Sequence, residues 1–228
     1  MEALLATCRV VHAVVLRDIR TRFFNHGLGY LLAISWPLAH ILVLVAFYTA
    51  IGRAAPHGES AALFFGTAVV PFMAWNYMSR FIMLSLVVNR PLLAFPAVRI
   101  TDILIGRALL ELLAACAMVG LLIAIAATFG LARWPADLAD AAMAMGAALA
   151  LGLGCGIASA VIALLMPGWV TVYALIIIAA YLLSGIVFMA DALPARARDA
   201  LAWLPTLHLV EWMRVAFFDG YPDRILDR

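Results

Sequence analysis

Asn89-Arg90-Pro91-Leu92-Leu93-Ala94-Phe95-Pro96-Ala97-Val98-Arg99-Ile100-Thr101-Asp102 is the stretch on which the reading of this chain turns. It separates two apolar runs, residues 62–88 and 103–130, each long enough to cross roughly 30 Å of hydrocarbon as a helix. Arginines stand near both its ends, and Pro91 and Pro96 restrict the backbone around them. Leu92, Leu93, Phe95 and Val98 make it too apolar for a purely solvated loop. Apolar anchors within a polar rim are how docking elements bind. Arg90, Leu92, Phe95, Val98 and Arg99 are therefore the candidate contacts with a soluble partner that pushes on the membrane helices, with an ordinary loop as the alternative.

Outward from that connector the chain reads as an all-α, polytopic membrane helical bundle. Of its 228 residues 67% are hydrophobic and 12% charged, against about half and a quarter in a soluble domain. Residues 1–27 are expected to form an interfacial amphipathic helix, with Val10, Val11, Val14, Val15 and Ile19 on one side and Arg9, Arg17, Arg20 and Arg22 on the other. Five spans follow within residues 28–190, at 28–51, 62–88, 103–130, 138–166 and 169–189. The fourth is rich in Gly146, Gly152, Gly154, Gly156, Ala158 and Ser159, which predicts close packing against another helix. Residues 191–228 change character: 193–203 suit a short amphipathic helix, and 205–218 are too short to cross, so an interfacial or re-entrant element on the periplasmic side is expected. No internal repeat or linker divides the chain, so 1–228 reads as a single domain.

Charge narrows function and orientation. All fifteen basic residues are arginine. Without lysine neither a Walker A loop nor a Schiff base can be built. Any ATP hydrolysis therefore belongs to another chain, although a GC-rich genome is an equal explanation of the composition; with no cluster of polar groups at one depth, neither enzyme chemistry nor a cofactor is expected on this one. A net charge of +2 gives no reason to expect nucleic acid. Cys8, Cys116 and Cys155 show no metal spacing and read as reduced. Arginines concentrate in the N-terminal segment and in residues 89–102, with Arg53 and Arg133 alone in the first and third connectors, which puts the N-terminus and the 89–102 connector in the cytoplasm.

The order of short motifs resembles the membrane subunit of ABC exporters of the type-two permease class, in the capsular-polysaccharide export branch. It is carried by Leu16-Arg17-Asp18-Ile19-Arg20-Thr21-Arg22-Phe23, Leu28-Gly29-Tyr30-Leu31, Pro37-Leu38-Ala39-His40-Ile41, Asn89 to Pro96, Asp102, and Arg107-Ala108-Leu109-Leu110-Glu111. Leu183-Ser184-Gly185-Ile186, Leu193-Pro194, Leu207-His208-Leu209-Val210-Glu211 and Ala216-Phe217-Phe218-Asp219-Gly220-Tyr221 complete it. The resemblance implies a homodimer in the bacterial inner membrane, bound to two ATPase subunits that carry ATP and magnesium. It implies polysaccharide moved from cytoplasm to periplasm, with periplasmic co-polymerase and outer-membrane export proteins as further partners. The coupling helix of such proteins maps to residues 89–101. The family continues past the Gly-Tyr motif into a sixth span, whereas these residues end at Arg228, which we read as truncation. An exporter of O-antigen or teichoic-acid type, or a non-transporting membrane scaffold, is the alternative.

Other residues are weighed singly. Arg107 and Glu111 are four apart, share a helix face, and form an expected ion pair beside the coupling segment. Trp75, Tyr77 and Tyr181 lie deep in spans and are candidates for a sugar path, since a pyranose face stacks on a ring. Tyr30, Trp169, Trp203 and Trp212 fit an interfacial belt instead. His40, Asn76 and His208 suit hydrogen-bonded structural roles. Glu211 and Arg214 are three apart and are candidates for a periplasmic gate.

Overall fold

The structure, a computed structural model, describes residues 2–21, 28–52, 54–58, 60–96, 98–128, 130, 134–222 and 224–226, without the side chains of 2–6, 20–21, 28–34 and 37. Arg22, Arg53 and Arg133, and the side chains of Arg20 and Tyr30, therefore lie outside the described residues. What is described is helical: α1 (Glu2–Thr21), α2 (Leu28–Ala50), α3 (Ala61–Val88), α4 (Ile100–Thr128), α5 (Leu138–Leu165), α6 (Trp169–Leu183), α7 (Ala195–Leu201) and α8 (Pro205–Phe217), with 3₁₀ turns at Arg90–Ala94 and Ala190–Ala192. Among the described residues there is no strand. A bilayer interior leaves backbone groups no water to bond, and helices satisfy them within the segment.

Among the described residues α3, α4 and α5 are long and apolar enough to cross a membrane, while Leu38–Ala50 and α6 are shorter apolar stretches. α3 is the central post, packed against α2, α4, α5 and α8. Phe64, Phe65, Val69, Phe72 and Trp75 on α3 form one core cluster with Ile186, Leu209, Val210, Phe218 and Tyr221. Ser60 caps α3, its hydroxyl accepting from the Leu63 N–H at 3.3 Å. Asp137 caps α5 by accepting from the N–H groups of Ala139 and Asp140 at 2.8 and 2.9 Å.

The expected close helix contact is between α3 and α5, and it rests on two of the glycines. A Cβ on Gly152 would stand 2.8 Å from the Met78 Cβ and from the Trp75 carbonyl oxygen. On Gly156 it would stand 2.7 Å from the Ile82 Cβ and 2.8 Å from the Ser79 oxygen. Four residues apart, they form a groove that lets the backbones touch, which replaces the hydrophobic drive that lipid cannot supply. Gly146 and Gly154 face open space instead.

The fifth span departs from expectation. The helix ends at Leu183 rather than Met189 and is 15 residues long, about 22 Å, short of the hydrocarbon thickness. Ser184 turns its hydroxyl onto the Ala180 carbonyl and onto Thr206, and Gly185 adopts φ +75°, a left-handed conformation that ends the helix. The third span also starts earlier than expected, at Ile100, because the Asp102 carboxylate accepts from the Arg99 N–H at 3.1 Å and fixes the first turn. α8 forms where a re-entrant element was expected. It is wedged between the first halves of α3 and α5, where Met213 and Ala216 meet Ala141 and Ala144. Cys8, Cys116 and Cys155 are free thiols.

Candidate functional site

The polar residues singled out in the sequence gather at the two ends of α3. At its C-terminal end Asn89 caps the helix, its backbone N–H and its side-chain amide both donating to the Ser85 carbonyl, at 3.0 and 2.9 Å. The chain then makes the 3₁₀ turn Arg90–Ala94, with Pro91 in its first positions, and reaches α4 at Ile100. This segment has two faces. Leu93 and Val98 pack against a cluster of Leu86, Ile103 and Ala160. Arg90, Phe95 and Arg99 are exposed, Phe95 at 61%, while Leu92 is half-buried. Of the five residues proposed as contacts, three therefore project outward, and Val98 serves as an inward anchor together with Leu93.

Beside that segment lies a buried ionic cluster. Arg107 Nη2 donates to Glu111 Oε1 at 2.6 Å, which is the pair the four-residue spacing predicts. Its other terminal nitrogen, Nη1, donates to Asp18 Oδ2 of α1 at 3.0 Å, and its guanidinium carbon is 4.6 Å from the centre of the Phe81 ring on α3. Arg17 donates to Asn89 Oδ1 at 2.5 Å. α1 lies against α4 at Gly106, where a Cβ would meet Val14 and Val15 at 3.4 and 3.6 Å, ordinary van der Waals contact. Sequence reasoning missed the Arg17 and Asp18 contacts. The available signal was a carboxylate one turn after the apolar Val14, amid the arginines of α1.

At the other end of α3, Arg214 is fully buried. It donates to Glu211 Oε1 at 2.9 Å and to the carbonyls of Phe188 and Ile186 at 3.1 and 3.2 Å, with its guanidinium carbon 3.9 Å from the Phe64 ring centre. Those carbonyls belong to the irregular stretch after α6, so the arginine supplies the donors that a helix would otherwise provide. Tyr221 donates to Glu211 Oε1 at 3.3 Å. Burial pushes both the Glu211 carboxyl and the Tyr221 hydroxyl up, and the charge of Arg214 opposes both shifts. The Phe218 and Tyr221 rings meet His57 edge-on at 5.3 and 5.0 Å, and the Asp137 N–H donates to the Ala216 carbonyl at 3.0 Å. The arrangement ties α8 and the motif after it to the first and third connectors.

Midway, the aromatic candidates separate. His40 Nε2 and the Tyr181 hydroxyl share a hydrogen bond at 2.5 Å, and the Tyr48 hydroxyl donates to the Val187 carbonyl at 2.8 Å, so α2 is fastened to α6 and its exit at two points. Tyr181 packs edge-on to Phe72 at 5.5 Å, and Phe72 lies 5.3 Å from Trp75, which is buried. Tyr77 is half-buried and stands 5.9 Å from Phe81, toward the Asn89 end. His208 bonds the Ala202 carbonyl at 2.6 Å, and Asn76 is buried. Trp203 and Trp134 are strongly exposed beyond the apolar stretches. Among the described residues no group of His, Cys, Asp and Glu could hold a metal ion.

Comparison with known proteins identifies the pattern. The family described as ABC-2 type transporter matches residues 9–218. The chain is 30% identical over 211 residues to the polysialic acid transport protein KpsM of Escherichia coli, covering 92% of this chain and 82% of that protein. It is 27% identical over 220 residues to the capsule polysaccharide export inner-membrane protein CtrC of Neisseria meningitidis serogroup B, covering 95% and 82%. To the capsule polysaccharide export inner-membrane protein BexB of Haemophilus influenzae it is 25% identical over 210 residues, covering 92% and 79%.

Proposed function

The chain belongs to the ABC-2 type transporter family, and from that premise we propose that it is the membrane subunit of an exporter of capsular or related surface polysaccharide in a bacterial inner membrane. The names of the relatives KpsM, CtrC and BexB, a polysialic acid transport protein and two capsule polysaccharide export proteins, support the capsular class over other surface polymers. The single observation that carries the mechanism is the two-faced segment between α3 and α4. Leu93 and Val98 anchor it to the bundle, while Arg90, Phe95 and Arg99 stand free of it.

In this reading the N-terminus and the segment face the cytoplasm, and a separate ATPase subunit, which binds ATP and magnesium, docks on Arg90, Phe95 and Arg99. An exposed aromatic flanked by guanidinium groups is the composition of an interface hot spot. Two permease copies and two ATPase subunits make the working unit, and the polymer passes between the permease copies. Closure of the ATPase pair displaces the segment, and the rigid anchors pass that displacement to α3 and α4. Trp75, Tyr77 and Tyr181 are the rings proposed nearest the polymer's route, Glu211 and Arg214 hold the outer end, and periplasmic and outer-membrane export proteins receive the chain.

The direction of transport is tested in a strain lacking this gene. Polymer should accumulate in the cytoplasm and return to the surface on complementation. A deletion strain that still displays normal surface polymer would contradict it.

A further inference from the structure

Arg17 and Asp18 are neighbours on α1, and between them they reach both sides of the segment 90–99. Arg17 holds Asn89, the cap of α3 immediately before the segment, and Asp18 holds Arg107, two turns into α4 after it. An amphipathic helix that only lies in the headgroup layer needs an apolar face and a basic face. It does not need a buried carboxylate. Asp18 is nevertheless 7% exposed and Arg107 also 7%, and the guanidinium of Arg107 is enclosed by α1, by Glu111 on α4 and by Phe81 on α3. Taking these charges out of water is costly, and parting them leaves an uncompensated charge, so the cluster resists rearrangement more than it adds stability.

We propose that α1 and the segment 90–99 move as one rigid unit, locked by Asp18–Arg107 and Arg17–Asn89, so that an ATPase subunit pushing on the segment moves the interface helix as well. This rests on the exporter reading. Asp18 and Arg107 are positioning residues in it: they touch neither nucleotide nor polymer. A push on the segment is passed to α3 through Asn89 and to α4 through Asp102 and Arg107. Since α1 grips both ends, the push must either part buried opposite charges or carry α1 along, and the second course is the easier.

The test uses the complete complex, with Cys8, Cys116 and Cys155 replaced by serine and spin labels at His12→Cys and Ala94→Cys, both exposed. A second pair, Ala94→Cys with Met166→Cys, reports movement of the segment relative to the α5–α6 turn. On trapping ATP, the His12–Ala94 distance distribution should stay unchanged while the Ala94–Met166 distribution shifts. In the Asp18→Asn complex the His12–Ala94 distribution should shift too, and polymer exported per ATP should fall on the order of tenfold. Asp18→Glu should restore both, which a general loss of packing would not allow. A shifted His12–Ala94 distribution in the unmodified lock, an unmoved Ala94–Met166 pair, or an Asp18→Asn complex with a normal export ratio would each overturn the proposal. Should Asp18→Asn not assemble, the distances in the intact lock decide alone. If no ATPase subunit is retained even by the wild-type chain, the exporter reading itself fails and takes the proposal with it.

Discussion

Arg214 lies over Phe64, its guanidinium carbon 3.9 Å from the ring centre, while it bonds Glu211 at 2.9 Å. A charge at that depth is held by a carboxylate, a ring face and two backbone carbonyls, and each depends on the others. Truncating Arg214 to alanine leaves Glu211 buried without its counter-charge and frees the carbonyls of Ile186 and Phe188. Breaking a buried pair from one side costs about 3–5 kcal/mol. Thermal unfolding in detergent should therefore show a large loss for Arg214→Ala. The double variant Glu211→Leu, Arg214→Met should recover part of it, since no lone charge remains.

The groove on α5 makes a sharper steric prediction. Gly156→Ala places a methyl 2.7 Å from the Ile82 Cβ and 2.8 Å from a backbone oxygen, neither of which is the end of a flexible side chain. Overpacking of this kind costs about 1–3 kcal/mol. Gly154→Ala, two residues away in open space, should leave stability unchanged or slightly raised. Equal melting temperatures for the two variants would contradict the α3–α5 contact as described.

Much of this architecture was legible in the sequence because a bilayer punishes every unpaired backbone group, so spans announce themselves as long apolar runs. Arg107–Glu111 and Glu211–Arg214 were legible because three and four residues bring side chains onto one helix face. The partners that give those pairs meaning were not. Asp18 is 89 residues from Arg107, and the carbonyls that Arg214 holds lie 26 and 28 residues away. Nor could composition tell Gly152 and Gly156 from Gly146 and Gly154, since both rows repeat small residues along α5. The early end of α6 had a visible mark, Ser184-Gly185, but what makes the stop tolerable is the distant arginine.

The bond between His40 and Tyr181 joins α2 to α6. Side-chain hydrogen bonds between helices in membranes average about 0.6 kcal/mol in double-mutant cycles. A cycle on His40→Ala and Tyr181→Phe should return a coupling of that order in thermal unfolding. Tyr181→Phe keeps the ring and should keep export, whereas Tyr181→Ala removes a ring proposed at the polymer's route and should lower it.

Leu93 and Val98 anchor the exposed residues beside them. Because the site is half-buried, Leu93→Ala should fall near the lower end of core truncations, about 2 kcal/mol. Its signature is a lower melting temperature of the permease alone, before any partner is added.

Docking of an ATPase subunit on the outward face of the segment 90–99 can be read out by co-purification. The variant to use is Arg90→Ala, Phe95→Ala, Arg99→Ala, which removes the exposed groups and leaves the Leu93 and Val98 anchors in place. This variant should reach the membrane at normal level with an unchanged melting temperature and should no longer retain the ATPase subunit that the wild type brings down. Undiminished retention by that triple variant would contradict it.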